Sequence, residues 1–169
     1  KGVIPIEQKK QKELLRLIEE NCRLTPTELA VLVDEPEAVI QETIRFLEQE
    51  KIICGYRGLI NWEKFEDDWV EAIVEIRVTA QGTAGYQSVA EEIKRFPQVE
   101  TVYFLSGPYD FLVMLRGKNI KEISNFISNH LAPIDVVQST RTHFTLKKYK
   151  DWGLVLDDHD QDERIKVSP

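Results

Sequence analysis

The chain has 169 residues, of which 42% are apolar and 30% are charged. This composition suffices for one ordinary domain or two small ones, and it excludes wholesale disorder and a large barrel enzyme. The sequence has no run of about 18 apolar residues, so no transmembrane helix is predicted, and its first residues lack the apolar stretch of a signal peptide. The two cysteines fit neither a disulfide framework nor zinc spacing. We therefore expect a reduced, cytoplasmic protein.

The charge is acidic overall, with 22 basic and 29 acidic residues and a formal net charge of -7. No long segment carries the basic excess of a simple nucleic-acid binder. Residues 67–150 are balanced, and residues 151–169 hold six acidic and two basic side chains. Any binding of DNA must therefore depend on a few local residues.

Three helices are predicted in the first third of the chain. A stripe of leucines and isoleucine at 14–18 indicates the first, and Thr25-Pro26-Thr27-Glu28 forms a capping box that opens the second. Pro36 suits the start of the third, whose apolar face carries Ile40, Ile44 and Leu47. Two short apolar runs, 52–56 and 59–62, then predict a small hairpin around Arg57-Gly58. This order is typical of a winged helix-turn-helix, although a helical cap with a structural hairpin would give the same pattern.

The second part of the chain alternates strands and helices. Charged residues 63–69 indicate a hinge between domains, and the strict alternation over 70–78 indicates a strand with one apolar face. The following predicted elements are a helix at 84–95, strands at 99–106 and 110–116, a helix at 119–131 and a final strand at 136–148.

The resulting β-α-β-β-α-β order predicts a ferredoxin-like domain, so the chain is expected to be an α+β protein. Both helices of such a domain cover one face of an antiparallel sheet. Tyr103, Leu112 and Met114 are expected on the other face or at an edge, and covering that face with a second copy is the economical solution. Residues 151–169 are predicted to be an irregular acidic tail, with disorder after Asp157 and with Trp152, Leu154 and Leu156 available to dock on a neighbour.

Three motifs on this architecture resemble the Lrp/AsnC family of feast/famine transcription regulators. The runs are FLEQEKIICGY at the end of the third helix, LSGPYDFLVML around a Gly-x-Tyr-Asp loop, and VVQSTRTHFTLKKYK in the last strand. The resemblance covers residues 7–149. It implies a DNA-binding domain at 1–62, a hinge at 63–69, a ligand-sensing and dimerisation domain at 70–150, and a homodimer or higher homo-oligomer. Many members sense free amino acids in pockets between subunits.

A small-molecule effector site is predicted at the Gly-x-Tyr-Asp loop. Backbone N–H groups near Gly107 suit a carboxylate, Asp110 suits an ammonium, and Thr140 and Thr142 lie two apart on one side of a strand. Tyr109 completes the set, which suits a zwitterionic amino acid. The alternative is a tight turn in which Asp110 caps its own backbone and the threonines serve strand propensity. Pro108 removes one N–H donor and replaces an acidic residue common in the family.

The predicted DNA-reading residues are few. Gln41 suits adenine and Arg45 suits guanine in the major groove, but residues 35–50 hold five glutamates against this single arginine. Lys9, Lys10, Lys12 and Arg57 supply charge for the phosphate backbone. Double-stranded DNA is the expected partner; the alternative is a ligand-sensing or assembly module of the same fold with weak or lost DNA binding.

No catalytic or metal site is predicted. His130, His143 and His159 are scattered, without a nucleophile at catalytic spacing or a set of metal ligands. A haem-biosynthesis decarboxylase family shares this two-domain fold, but its members look His- and Arg-rich in the sheet domain, and this chain has no matching run. A tetrapyrrole-modifying enzyme is therefore a distant third reading, and no cofactor is expected.

Overall fold

The computed structural model describes residues 6–65, 69–79 and 82–156, which form two compact units divided between Leu59 and Ile60. The first unit contains helices α1 (Gln8–Glu20), α2 (Pro26–Val33) and α3 (Glu37–Gln49). Each helix buries one stripe of side chains in a common core. The core residues of the three helices are Leu14, Ile18, Leu29, Val33, Ile40, Thr43 and Leu47.

The predicted hairpin after α3 is not formed, because its first residues close the helix instead. Lys51 adopts a left-handed conformation with φ of 58°, and the amides of Ile52 and Ile53 both donate to the Leu47 carbonyl at 2.9 and 3.0 Å. Amides that follow a helix commonly bond to carbonyls of its last turn, which would otherwise lack an intrahelical partner. Ile53 is buried in the core of the first unit. Residues 54–61 contain no strand, and a single turn of 3-10 helix follows at Trp62–Phe65, which overlaps the start of the segment predicted to be a hinge, 63–69.

The capping box of α2 is confirmed. Thr25 Oγ1 accepts the Glu28 N–H at 3.3 Å, and Glu28 Oε2 accepts the Thr25 N–H at 2.7 Å. These bonds satisfy amides that a helix start leaves unpaired. The bond from the Thr25 backbone is the main reason that the pKa of Glu28 lies below its usual value.

Replacing Thr25 by alanine should lower the free energy of unfolding by about 1 kcal/mol, the typical cost of losing an N-cap side chain. Because the pKa of Glu28 is lowered in the folded state, its contribution is present at neutral pH and disappears as the pH falls through that lowered pKa. Thr25→Ala keeps the backbone bond but removes the bond from the Thr25 hydroxyl to Glu28 Oε2 at 2.8 Å, the second cause of the lowered pKa. The difference between wild type and Thr25→Ala, measured by urea unfolding, should therefore shrink in acid. Glu13→Ala, an exposed change within α1, is the control; an equal loss in both variants would contradict the role of the cap.

The second unit has the predicted β-α-β-β-α-β order. It consists of β1 (Val70–Val78), α4 (Gly82–Ile93), β2 (Val99–Phe104), β3 (Phe111–Gly117), α5 (Ile120–Phe126) and β4 (Val137–Phe144). The antiparallel sheet has the strand order β2-β3-β1-β4. Both helices pack on one face, where Val89 and Ile123 join a core with Val74 and Val113. The ferredoxin-like prediction is confirmed.

Two predicted elements are shorter in the structure. The last helix passes at Phe126 into a π-type turn, Ile127–Leu131, closed by the bond from the Ala132 N–H to the Ile127 carbonyl. The last strand ends at Phe144 rather than at 148, because Phe144 pairs with Ala72 close to the beginning of β1. One further backbone bond, from the Thr145 N–H to the Glu71 carbonyl at 2.9 Å, continues the contact with β1 just past the end of the strand.

The sheet face opposite the helices is called the open face here. The register places Tyr103 beside Leu112 and Met114 beside Ile73, so these four apolar side chains share this face, as predicted for three of them. Its charged members alternate with core residues along β1, β3 and β4. They are Glu71, Glu75, Arg77, Arg116, Arg141 and His143.

Residues 151–169 were predicted to be irregular, but the described part of this segment contributes to a short hairpin. Strands β5 (Lys150–Asp151) and β6 (Leu154–Val155) pair as a hairpin. Trp152 and Gly153 form its turn with φ of 44° and 84°, the positive pair of a type I′ connection. Asn61 Nδ2 donates to the Leu156 carbonyl at 2.8 Å, which ties the beginning of the unit to this segment. The disorder predicted after Asp157 lies outside the described residues.

Candidate functional site

The turn between α2 and α3 is held by a lysine predicted to contact DNA phosphate. Asp34 adopts a left-handed conformation with φ of 55°, and Lys10 Nζ donates to the Asp34 carbonyl and to Glu35 Oε1, both at 2.7 Å. The bond to Glu35 is the main reason that the pKa of Lys10 is raised. Lys10 thus joins α1 to the helix-turn-helix corner, and its charge is already paired within the first unit.

The exposed side of α3 matches the sequence prediction in part. Glu42 and Arg45 are exposed, whereas Gln41 is half-buried and its Nε2 donates to Glu37 Oε1 at 2.9 Å. Glu37 in turn accepts the Thr27 hydroxyl at 2.9 Å. One of the two N–H groups of the Gln41 amide is therefore already engaged within the first unit, whereas Arg45 is exposed.

The remaining predicted phosphate-binding side chains, Lys9, Lys12 and Arg57, are exposed. Residues following α3 are tied back to that helix, since the Tyr56 hydroxyl donates to Glu48 Oε1 at 2.9 Å. Burial and this bond raise the pKa of Tyr56 to about 12, so the hydroxyl stays protonated at physiological pH. One of the α3 carboxylates is thereby engaged within the unit.

The loop at the predicted effector site is fixed against the end of β1. The Leu105 N–H donates to the Asp110 carbonyl at 2.8 Å, and the Asp110 N–H donates to the Ile76 carbonyl at 3.0 Å. Asp110 Oδ2 also accepts the Val78 N–H at 2.8 Å. The Asp110 carboxylate therefore caps the end of β1 rather than its own turn. The loop that carries Gly107 is exposed near this strand end.

The other predicted effector residues divide between the two faces of the sheet. Thr140 and Thr142 pair with Ile76 and Val74, so they lie on the same side of β4, as their spacing predicted. That side faces the helices, and both residues are half-buried. Tyr109 instead lies beside Arg141, whose guanidinium carbon is 5.5 Å from the ring centre. Arg141 alternates with the threonines and belongs to the open face. Asp110 and Thr140 thus flank the same end of β1, and Tyr109 is directed to the opposite face.

Sequence reasoning missed a cluster at the other end of β1. Arg116 Nη2 donates to Glu71 Oε1 at 3.1 Å, Lys148 Nζ lies 2.5 Å from Glu71 Oε2, and two indoles approach the same guanidinium. A cavity of about 230 Å³ opens beside these groups. The alternation of β1 and β3 placed Glu71 and Arg116 on one face, but no local pattern showed that Lys148 would join them.

Two kinds of site are absent from the parts of the chain that the structure describes. Within residues 6–65, 69–79 and 82–156, no group of three or more His, Cys, Asp or Glu side chains is arranged to hold a metal ion. No helix in those same segments is both long and apolar enough to cross a membrane.

Comparison with known proteins supports the architecture. Residues 71–155 match the model of the Lrp/AsnC ligand binding domain. An HTH-type transcriptional regulator of Bacillus subtilis, YugG, is 40% identical over 161 residues, covering 95% of this chain and 97% of that protein. The leucine-responsive regulatory protein of Rhizobium meliloti is 28% identical over 139 residues, with 82% and 88% covered.

A solved structure shares the fold. The crystal structure of a transcriptional regulator from Neisseria meningitidis in complex with L-methionine has a TM-score of 0.67 and 24% identity, covering 90% of this chain and 98% of that one. The helix-turn-helix, the ferredoxin-like domain and the relatives together define a transcription regulator. The chain belongs to the Lrp/AsnC family.

Proposed function

We propose that this regulator binds double-stranded DNA through α3, assembles through the open face as a homodimer or a higher homo-oligomer, and responds to a small amino acid. The relatives named above carry transcription-regulator names, and the Neisseria regulator binds L-methionine. A cytoplasmic location and the absence of enzymatic activity stay predictions.

The observation that carries the effector proposal is the position of the Asp110 carboxylate. Its Oδ2 accepts the Val78 N–H at the end of the central strand β1, and the half-buried Thr140 pairs with Ile76 near the same strand end. The carboxylate suits the ammonium of an amino acid, and hydroxyl and backbone N–H groups suit its carboxylate. The loop around Gly107 is exposed, which supports a site that a second subunit would complete.

Thermal unfolding with and without L-methionine tests the effector site. Wild type should melt at a higher temperature with the amino acid, because a ligand that binds only the folded state stabilises it. Asp110→Asn should abolish this rise while keeping an oxygen for the Val78 N–H, which Asp110→Ala would leave without its acceptor. Thr140→Val should reduce the rise.

Glu100→Gln is the matched control, since it removes an exposed carboxylate from β2. Its melting temperature should rise with L-methionine as in wild type. If methionine and a panel of the other amino acids leave wild type unchanged, the effector proposal fails. A rise that survives in Asp110→Asn moves the site elsewhere.

A second function is favoured by the charge of α3. Glu37, Glu42 and Glu50 are exposed on or next to this helix, while Lys10 and Gln41 are already hydrogen-bonded within the first unit. A carboxylate-rich helix repels phosphate. These contacts support a module that senses a ligand and assembles but binds DNA weakly, and the DNA titration described in the Discussion separates the two functions.

A further inference from the structure

The hairpin of β5 and β6 leaves large apolar side chains exposed to solvent. Trp152 is 85% exposed and Leu154 is 60% exposed. The same segment, residues 146–155, holds three further exposed apolar side chains: Leu146, Tyr149 and Val155. An exposed Trp side chain presents roughly 200 Å², so together these groups reach the several hundred Å² at which an apolar patch on a monomer marks an interaction site.

The turn of this hairpin holds a residue type that its backbone does not favour. Trp152 and Gly153 have φ of 44° and 84°, and a type I′ turn of this geometry is usually Asn-Gly or Asp-Gly. Short polar side chains tolerate a left-handed conformation, whereas a bulky aromatic residue there is an outlier. Because the indole is exposed, it adds little to the stability of the monomer. Such a conflict between residue type and backbone is typical of a position with a functional contact.

The hairpin starts at one end of the open face. Lys148, just before β5, is paired with Glu71 of that face, and its Nζ lies 3.4 Å from Asp151 Oδ2 in β5. Arg116 Nη2 also donates to Glu71 Oε1. These two cations and two carboxylates balance, so the network that they form has no net charge to oppose its burial. The exposed apolar surface of the hairpin therefore adjoins the face proposed above to contact a second copy.

The open face alone offers a dimer little apolar area. Ile73, Leu112 and Met114 are already half-buried between their neighbours, and the other side chains named above for this face, apart from Tyr103, are charged. A standard interface buries about 800 Å² on each partner, and more than half of that area is apolar. A dimer through this face therefore needs further apolar surface beside it, and the hairpin supplies such surface.

We propose that the β5–β6 hairpin packs against a second copy of the chain and enlarges the contact made by the two open faces. Trp152 in its turn is the central contact, and Leu154 follows it in β6. This inference rests on the dimer of the proposed function. A twofold interface uses the same surface of both copies, so each dimer contains the hairpin contact twice and a substitution acts on both.

Replacing Trp152 by asparagine removes the indole and keeps the hairpin, because Asn-Gly is the preferred sequence of this turn. The dimer dissociation constant of the full chain, measured by sedimentation velocity over a dilution series, should rise about tenfold or more. The melting temperature of the diluted, monomeric protein should not fall. Leu154→Ser should weaken the dimer in the same direction. Unchanged dissociation constants in both variants would overturn the proposal.

Ile120→Ser is the matched control for Leu154→Ser, since Ile120 is 55% exposed and lies in α5, on the side of the helices. This control should keep the dissociation constant of wild type. If Trp152→Asn weakens only species larger than the dimer, the hairpin lies between dimers and the proposed contact is wrong.

Leu112→Glu, considered in the Discussion, separates this inference from the dimer on which it rests. If Leu112→Glu dissociates the protein while Trp152→Asn and Leu154→Ser associate as tightly as wild type, the hairpin contact fails and the open-face dimer stands. A wild type that is monomeric at micromolar concentration would overturn both.

Discussion

Replacing Leu112 by glutamate is expected to prevent the dimerisation that is proposed above through the open face. Leu112 lies within the open face, paired with Tyr103 on one side and with Glu75 on the other. A glutamate there places a second carboxylate beside Glu75, whose Oε2 is buried and lies 3.5 Å from His143 Nε2. Covering the new carboxylate with a second subunit would cost several kcal/mol, because the added charge loses its hydration without gaining a cationic partner.

Size-exclusion chromatography with light scattering at micromolar concentration measures this effect on the full chain. Ile120→Glu is the matched control, since it makes the same chemical change at an exposed position of α5, on the side of the helices. The control should stay dimeric and Leu112→Glu should not. A dimeric Leu112→Glu protein, or a monomeric wild type, would show that the open face is not the subunit interface.

Neutralising Glu42 and removing Arg45 should change DNA binding in opposite directions. Glu42 is exposed on α3, so Glu42→Gln should strengthen binding to all sequences about equally, because phosphate repulsion carries no base information. Arg45→Ala should weaken binding to the specific site by roughly 1–3 kcal/mol if its guanidinium is bidentate to guanine. The bond between Gln41 and Glu37 makes Arg45 the more informative of the two predicted base-reading residues.

Titration of labelled DNA at two salt concentrations provides the measurement. The dependence on salt should be shallow, because the slope of log affinity is roughly -0.9 per phosphate neutralised and few cations face the DNA. Glu92→Gln, the same change at an exposed position of α4, should leave the affinity unchanged. If wild type binds no DNA at low salt and Glu42→Gln restores none, the sensing-module function is the better description.

The fold was predictable because its signals are local and periodic. Alternation over 70–78 set the bounds of β1, and Thr25 with Glu28 marked the start of α2. The hairpin prediction was wrong for an equally local reason. Ile52 and Ile53 are residue types that favour strands, but their N–H groups donate to the Leu47 carbonyl at the end of α3. Apolar periodicity does not reveal whether such residues pair with a strand or close a helix.

The candidate sites were less predictable because their contacts are distant in sequence. Lys10 had the right charge for phosphate, but its partners lie 24 and 25 residues away, at the helix-turn-helix corner. The two-residue spacing of Thr140 and Thr142 correctly predicted that they share one side of β4. The direction of Tyr109 could not be predicted in this way, because its ring lies beside Arg141 of β4, which is distant in sequence. The set Arg116, Glu71 and Lys148 required the path of the chain beyond β4, which no short motif encodes.

The hydrogen bond between Asn61 and Leu156 joins residues 95 positions apart. The two ends of the described part of the second unit therefore lie close together, and neighbouring ends make a domain easy to transplant. A recombination event that moved residues 60–156 as one block would carry both of these ends together. Under the function proposed above, exchanging this block would replace the proposed effector site and leave α3 unaltered.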